Sequence, residues 1–155
     1  MYSSSKLKGC FLHQSDEWKT PLDFFNIYVG DADFDPCPGH GEYKLPIKDR
    51  NYDHDGLSIP WRGIRVFVNP PYSNIGAWVD KCIEEVTAGH CAIIELLVPS
   101  RTDTKWFQKL WANRDNAYGL RCRFIFIPGR IHFNNSKNGA PFPSVMISIR
   151  FKPLC

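Results

Sequence analysis

Apolar positions along this chain fall into two periods, and each change of period marks an element. The run Leu22-Asp23-Phe24-Phe25-Asn26-Ile27-Tyr28 follows Thr20-Pro21 and stops near Gly30. With Thr suited to an N-cap and Pro to a first turn, it predicts a short helix. Ala32-Asp33-Phe34-Asp35 reads as a short strand running into the loop Pro36-Cys37-Pro38-Gly39-His40-Gly41. Residues 42–63 show little periodicity and predict loops with abbreviated strands. Arg65-Val66-Phe67-Val68 is a β-branched and aromatic run, ended at Asn69 because Pro70-Pro71 cannot continue a central ladder. Ser73 or Asn74 then caps a helix whose face is Ile75, Trp78, Val79, Cys82, Ile83 and Val86, closed by Gly89.

Cys91 to Val98 is apolar except for Glu95, the pattern of a central strand covered on both faces, and Pro99 ends it. Thr102 or Asp103 is placed to cap a second helix carrying Trp106, Phe107, Leu110 and Trp111. Cys122, Phe124 and Phe126 alternate with Arg121, Arg123, Ile125 and Ile127, and Val145-Met146-Ile147-Ser148-Ile149 forms a last strand that pairs antiparallel with them. Strands alternating with helices before a terminal strand pair predict a three-layer α/β domain, Rossmann-like, with a mostly parallel sheet and an antiparallel C-terminal pair.

At 155 residues the chain fits one abbreviated domain, expected over residues 16–155 after a loose polar lead-in at 1–15. A hydrophobic share of 43% with 23% charged residues fits a soluble globular class. No apolar stretch is long enough to cross a bilayer and the start lacks a secretory core, so a cytoplasmic location is expected. The six cysteines read as reduced thiols, and without paired Cys-x-x-Cys units Cys37, His40, His54 and His90-Cys91 do not suggest a metal site. A net charge of +3 permits a phosphate-backbone partner without requiring one.

Ligands of an open parallel sheet bind at the carboxyl ends of strands, where two unusual loops leave this chain. In Asn69-Pro70-Pro71-Tyr72, the Asn69 side-chain carbonyl and the Pro70 backbone carbonyl offer two acceptors to the two N–H donors of an exocyclic amine. Tyr72 offers a flat face for a base extruded from a duplex. The bland alternative is a sharp strand terminator with Tyr72 in the core. In the first loop, Asp35 is suited to the cationic amino group of S-adenosylmethionine, with Cys37 and Gly39 lining its edge; a Pro-Gly connection is the alternative. Asp55 is a further candidate for the cofactor's adenine or ribose, with Asp53 and Asp49 competing.

These residues resemble the phage-type Dam family of DNA N6-adenine methyltransferases from about Trp18 to Ile149. The resemblance rests on Asn69-Pro70-Pro71-Tyr72, Trp18-Lys19-Thr20-Pro21 with Phe24-Phe25, Phe34-Asp35-Pro36-Cys37, and Asp55-Gly56-Leu57 with Trp61. Val98-Pro99-Ser100-Arg101-Thr102-Asp103-Thr104 with Trp106-Phe107, Gly129-Arg130-Ile131-x-Phe133 and Pro141-x-Pro143-Ser144 complete it. The resemblance implies transfer of a methyl group from S-adenosylmethionine to a flipped adenine in double-stranded DNA, with Asn69, Pro70, Pro71 and Tyr72 catalytic. It also makes Thr20, Pro21, Phe24 and Asn69 cofactor-side residues. The glycine loop departs from the family's fuller Gly-x-Gly pattern, and no clear ribose-binding acid follows the second strand. With no separate recognition domain expected, loops of the core must read DNA, and Ser100, Arg101, Arg130 and Phe133, with His132 beside them, are the candidates. RNA, cytosine N4 or a protein glutamine as acceptor, or an inactive DNA-binding relative, remain open at this point.

Overall fold

The computed structural model describes residues 17–154; the expected lead-in at 1–15 lies outside them. Strands β1 (Ala32–Asp35), β2 (Ile47–Arg50), β3 (Arg65–Val68) and β4 (Ile93–Pro99) are parallel, and β5 (Gly119–Phe126) and β6 (Ser144–Lys152) add antiparallel. The six strands lie in the order β2-β1-β3-β4-β6-β5. Helix α1 (Leu22–Tyr28) covers one face, and α2 (Ile75–Thr87) with α3 (Lys105–Trp111) covers the other. The result is the expected three-layer α/β arrangement with an antiparallel C-terminal pair.

Period-two alternation assigns each side chain to a layer. Ile94, Leu96 and Val98 of β4 pack with Val79, Cys82, Phe107 and Leu110. Leu97 turns to the opposite face, among Phe24, Phe25, Phe67 and Met146. A strand buried on both faces has no polar side to alternate with, which explains the continuous apolar run from Cys91. Burial also holds the Cys91 and Cys122 thiols protonated, pushing both up to about 12.

The helix starts differ from the sequence expectation. Pro21 rather than Thr20 is the N-cap of α1, because the Thr20 hydroxyl is engaged elsewhere. Asn74 begins α2 without a side-chain cap, since a short 3₁₀ turn at Tyr72–Asn74 leads in. Thr104, rather than Thr102 or Asp103, caps α3, accepting from the Phe107 N–H at 3.3 Å. Phe24 and Phe25 are both core residues.

The apolar face of α2 also conceals an ion pair. Glu85, 1% exposed, takes the Lys81 ammonium one turn back, the Trp61 backbone N–H at 2.9 Å and His90 Nδ1 at 2.6 Å. Burial works to raise the Glu85 pKa, but these donors outweigh it and hold the carboxyl below its usual value. The pair pins Trp61, which stacks on Trp78 and donates from its indole to Gly56 O at 2.8 Å. A Cβ on Gly56 would lie 2.4 Å from Pro36 O, so glycine lets this loop close against the one that follows β1. Removing one member of a buried pair leaves the other uncompensated. Glu85→Ala is therefore expected to lower unfolding free energy by about 3 kcal/mol, read as a shifted urea midpoint at unchanged slope. Lys81→Met should cost less, because Trp61 and His90 still hold the carboxylate.

Candidate functional site

The chain leaves β1, pairs β2 on one side of it, then returns to pair β3 on the other, so the strand order reverses between β1 and β3. Such a reversal opens a crevice at the carboxyl ends of the two strands. Asp35 ends β1 and Asn69 follows β3, so the two expected loops face one crevice, and the Cys37 thiol bridges them by donating to Asn69 O at 3.5 Å.

The Asn69 side chain is held by residues before α1. Its amide nitrogen donates to Trp18 O at 2.5 Å and to Thr20 Oγ1 at 3.0 Å. A backbone carbonyl can only accept, so the nitrogen must face Trp18 and the side-chain oxygen must point the other way. That oxygen, Oδ1, is buried and has no hydrogen-bond partner. The Pro70 carbonyl likewise accepts no hydrogen bond among the described residues. Among the described residues five buried side-chain polar atoms lack a partner, and four of them, on Asn69, Tyr72, Ser100 and Ser144, belong to residues at this one edge of the sheet. An unmet buried donor or acceptor costs about 1–3 kcal/mol, so their concentration at one edge marks it as a place for a polar ligand.

Residues 17–20 lie across the crevice as a strap. The Lys19 N–H donates to Asn134 Oδ1 at 2.9 Å, and the Asn134 N–H returns to Lys19 O at 3.0 Å. Asn134 sits at φ 57°, left-handed backbone that asparagine tolerates better than most residues. Upstream, a Glu17 carboxylate oxygen takes the His40 backbone N–H at 3.2 Å, in the loop after β1. Trp18 stacks on Tyr72 with ring centroids 6.4 Å apart and planes 14° from parallel. Phe133 and Phe142 meet both rings edge-on. Tyr72 is therefore only 5% exposed, and the open stacking face expected of it is covered by Trp18. Phe133 is 2% exposed, a wall of this aromatic cluster and not the free aromatic expected to meet DNA.

Asp35 is 3% exposed, its Oδ1 accepting the Cys37 N–H at 2.9 Å and its Oδ2 the Tyr43 hydroxyl at 2.8 Å. Burial raises its pKa to about 6, against the lowering effect of those two donors and Arg50. The Asp55 carboxylate closes its own exposed turn, taking the Leu57 N–H at 3.0 Å and the Ser58 hydroxyl at 3.2 Å. Asp49 pairs with Arg62, and Asp53 is exposed. Gly39 lies against the Glu17 carboxylate, and Phe24 packs on Tyr28. Arg101 donates to Tyr72 O at 3.4 Å, directly beside the turn, whereas Arg130 is exposed on the long loop. Among the described residues no group of three or more His, Cys, Asp or Glu could hold a metal ion, and no helix is long and apolar enough to cross a membrane.

Trp18, Glu17, Tyr43, Asn134 and Ser144 were not singled out for these roles by the sequence. Only Trp18 carried a hint, by its place beside Thr20-Pro21.

A DNA N-6-adenine-methyltransferase from Escherichia phage T1 is 28% identical, over 74% of this chain and 55% of that protein. The chain thus spans about half the length of the curated relative it matches. A Pyrococcus horikoshii crystal structure named as a candidate RNA methyltransferase superposes with a TM-score of 0.47 at 13% identity, covering 70% of this chain and 52% of its own. The profile of DNA N-6-adenine-methyltransferase (Dam) matches residues 10–152, nearly the whole sequence, and the chain belongs to that family.

Proposed function

We propose that this chain transfers a methyl group from S-adenosylmethionine to the exocyclic amine of an adenine flipped out of double-stranded DNA. The observation that carries the reading is the Asn69 side-chain oxygen, dry, partnerless and locked in direction at the strand-order reversal beside Asp35. Membership of the Dam family and the likeness to the phage protein support it.

The residues present fit the cofactor's methionine end, which carries an ammonium and a carboxylate. Asp35 supplies an acceptor for the first. The loop after β1 already takes a carboxylate oxygen, that of Glu17, on its His40 N–H. Asp35, Cys37 and Gly39 would hold this end, with Thr20, Pro21, Phe24 and Asn69 on the strap side and Asp55 on the outer rim. Bound there, S-adenosylmethionine supplies an electrophilic methyl group whose bond to sulfur breaks as the bond to nitrogen forms. The amine lone pair is delocalised into the adenine ring. Acceptance of its two N–H groups by Asn69 Oδ1 and Pro70 O keeps density on nitrogen and stabilises the charge that develops there. Pro71 stiffens the turn and Tyr72 supplies the stacking surface. The proton leaves to solvent after transfer, because the methylated nitrogen is acidic, and no strong base is needed. Arg101 and Ser100 beside the turn, and Arg130 on the long loop, would take phosphates of the duplex.

Asn69→Ala is expected to lower methyl incorporation into DNA by about 10²–10³, the effect of removing one preorganised partner, while cofactor binding by calorimetry is largely kept by Asp35 and the loop after β1. Full activity in that variant would overturn the scheme. Thr20→Val removes one of the two acceptors that fix the amide and should lower kcat by about tenfold, one hydrogen bond's worth, with Thr20→Ser restoring it.

The Asp35 carboxyl ionises near pH 6, and pairing with an ammonium requires the ionised form. Cofactor affinity should fall as pH drops below about 6, and Asp35→Asn should flatten that profile. Stability moves the opposite way. The folded state holds a proton that the unfolded chain, with its ordinary carboxylate pKa near 4, has already released. Unfolding free energy should therefore decrease as pH rises from about 4 to about 6, a slope that Asp35→Asn removes.

A further inference from the structure

Within the reading just given, we propose that the Trp18 indole occupies the slot of the target purine and must leave it when the base enters. Indole and purine are both planar fused rings, one five-membered and one six-membered. In this structure the indole already makes the contacts a base would make. It lies near-parallel on Tyr72, edge-walled by Phe133 at 5.7 Å and Phe142 at 5.1 Å. Its own backbone carbonyl takes the Asn69 amide, so the residue that carries the ring is tied to the side chain whose oxygen is left open for an amine. Tyr72 and Phe133 are fixed walls, 5% and 2% exposed, whereas Trp18 is only half-buried.

The way Trp18 is held suits a removable occupant. Its indole N–H has no hydrogen-bond partner among the described residues, so apolar packing rather than a hydrogen bond keeps the side chain in place. The strap's hydrogen bonds run through the backbones of residues 17 and 19, through the Glu17 carboxylate and through the Trp18 carbonyl. Rotation of the indole about its side-chain bonds breaks none of them. The Asn69 amide thus keeps its direction while the ring swings away, and the acceptor is ready when the slot empties. A ring-for-ring exchange also keeps water from the Asn69 and Tyr72 polar atoms in the resting state, where an open slot would solvate them.

Free adenine and free indole are the probes that test this. Trp18→Ala opens the slot and leaves the Trp18 carbonyl in place. Adenine at millimolar concentration is expected to raise its melting temperature and bind at least about tenfold tighter than to the unaltered chain. Adding Asn69→Ala should weaken adenine and leave indole unaffected, because only adenine presents an amine to Asn69. Trp18→Phe, which keeps a smaller ring, should bind adenine with intermediate affinity, and it carries the comparison if the alanine variant does not fold. Equal adenine binding by altered and unaltered chains, or a slot that takes indole and rejects adenine, overturns the inference. DNA methylation by the unaltered chain alongside either result would sink the inference alone. Adenine binding by the variants with no methylation of DNA would instead sink the functional reading.

Discussion

The direction of one carboxamide governs the rest of this site. Asn69 has two donors and one acceptor group, and both donors are spent on the strap, at Trp18 O and Thr20 Oγ1. Because the first partner is a backbone carbonyl, no amide flip can exchange nitrogen for oxygen without losing that hydrogen bond. The oxygen is thereby committed to whatever enters the crevice. Pro70 and Pro71 complete the constraint from the other side, ending β3 and fixing the turn that carries the second carbonyl.

Topology delivers this carboxamide to the right neighbour. A strand order that reverses between β1 and β3 places Asp35 and Asn69 on adjacent strand ends, although 34 positions separate them in sequence. The fold then concentrates its unsatisfied polar atoms at the same edge, against the usual rule that buried polar groups are paired. Glu85 shows how differently a supporting buried charge is treated. It is given three donors, and through Trp61 and Gly56 it steadies the loop that Asp35 begins. Glu85, which holds the frame, is satisfied, whereas all but one of the open buried atoms belong to residues at the crevice edge.

What the sequence reveals follows the range of the interactions involved. The turn at Asn69-Pro70-Pro71-Tyr72 was legible because its signals are local: a β-branched run, two prolines, and a helix with apolar positions at 75, 78, 79, 82 and 86. The antiparallel pairing of β5 with β6 was legible from alternation alone. The strap was not, since its bonds join residues 23 to 117 positions apart and leave no periodic trace. Lys81 and Glu85 sit at helical spacing on α2, which by itself carries no sign of burial; the tertiary donors at Trp61 and His90 make that burial tolerable. The caps were misplaced for a related reason. Thr20 is a good N-cap by type, but a more distant partner, Asn69, takes its hydroxyl.

An acceptor strengthens a developing charge only where water does not compete for it. The Asn69 oxygen is buried, and in the same turn Trp18, Phe133 and Phe142 close over Tyr72. The cover and the strength of the acceptor are therefore one property, and a substrate that removed the cover without replacing it would weaken the site it came to use. A planar aromatic ring bearing an amine replaces both at once: its face restores the stack on Tyr72, and its N–H groups meet the open carbonyls. Substrates lacking either feature leave the crevice wet or the acceptor unmet. In the proposed reading, selection for an aminated base follows from the geometry of exclusion as much as from the hydrogen bonds themselves.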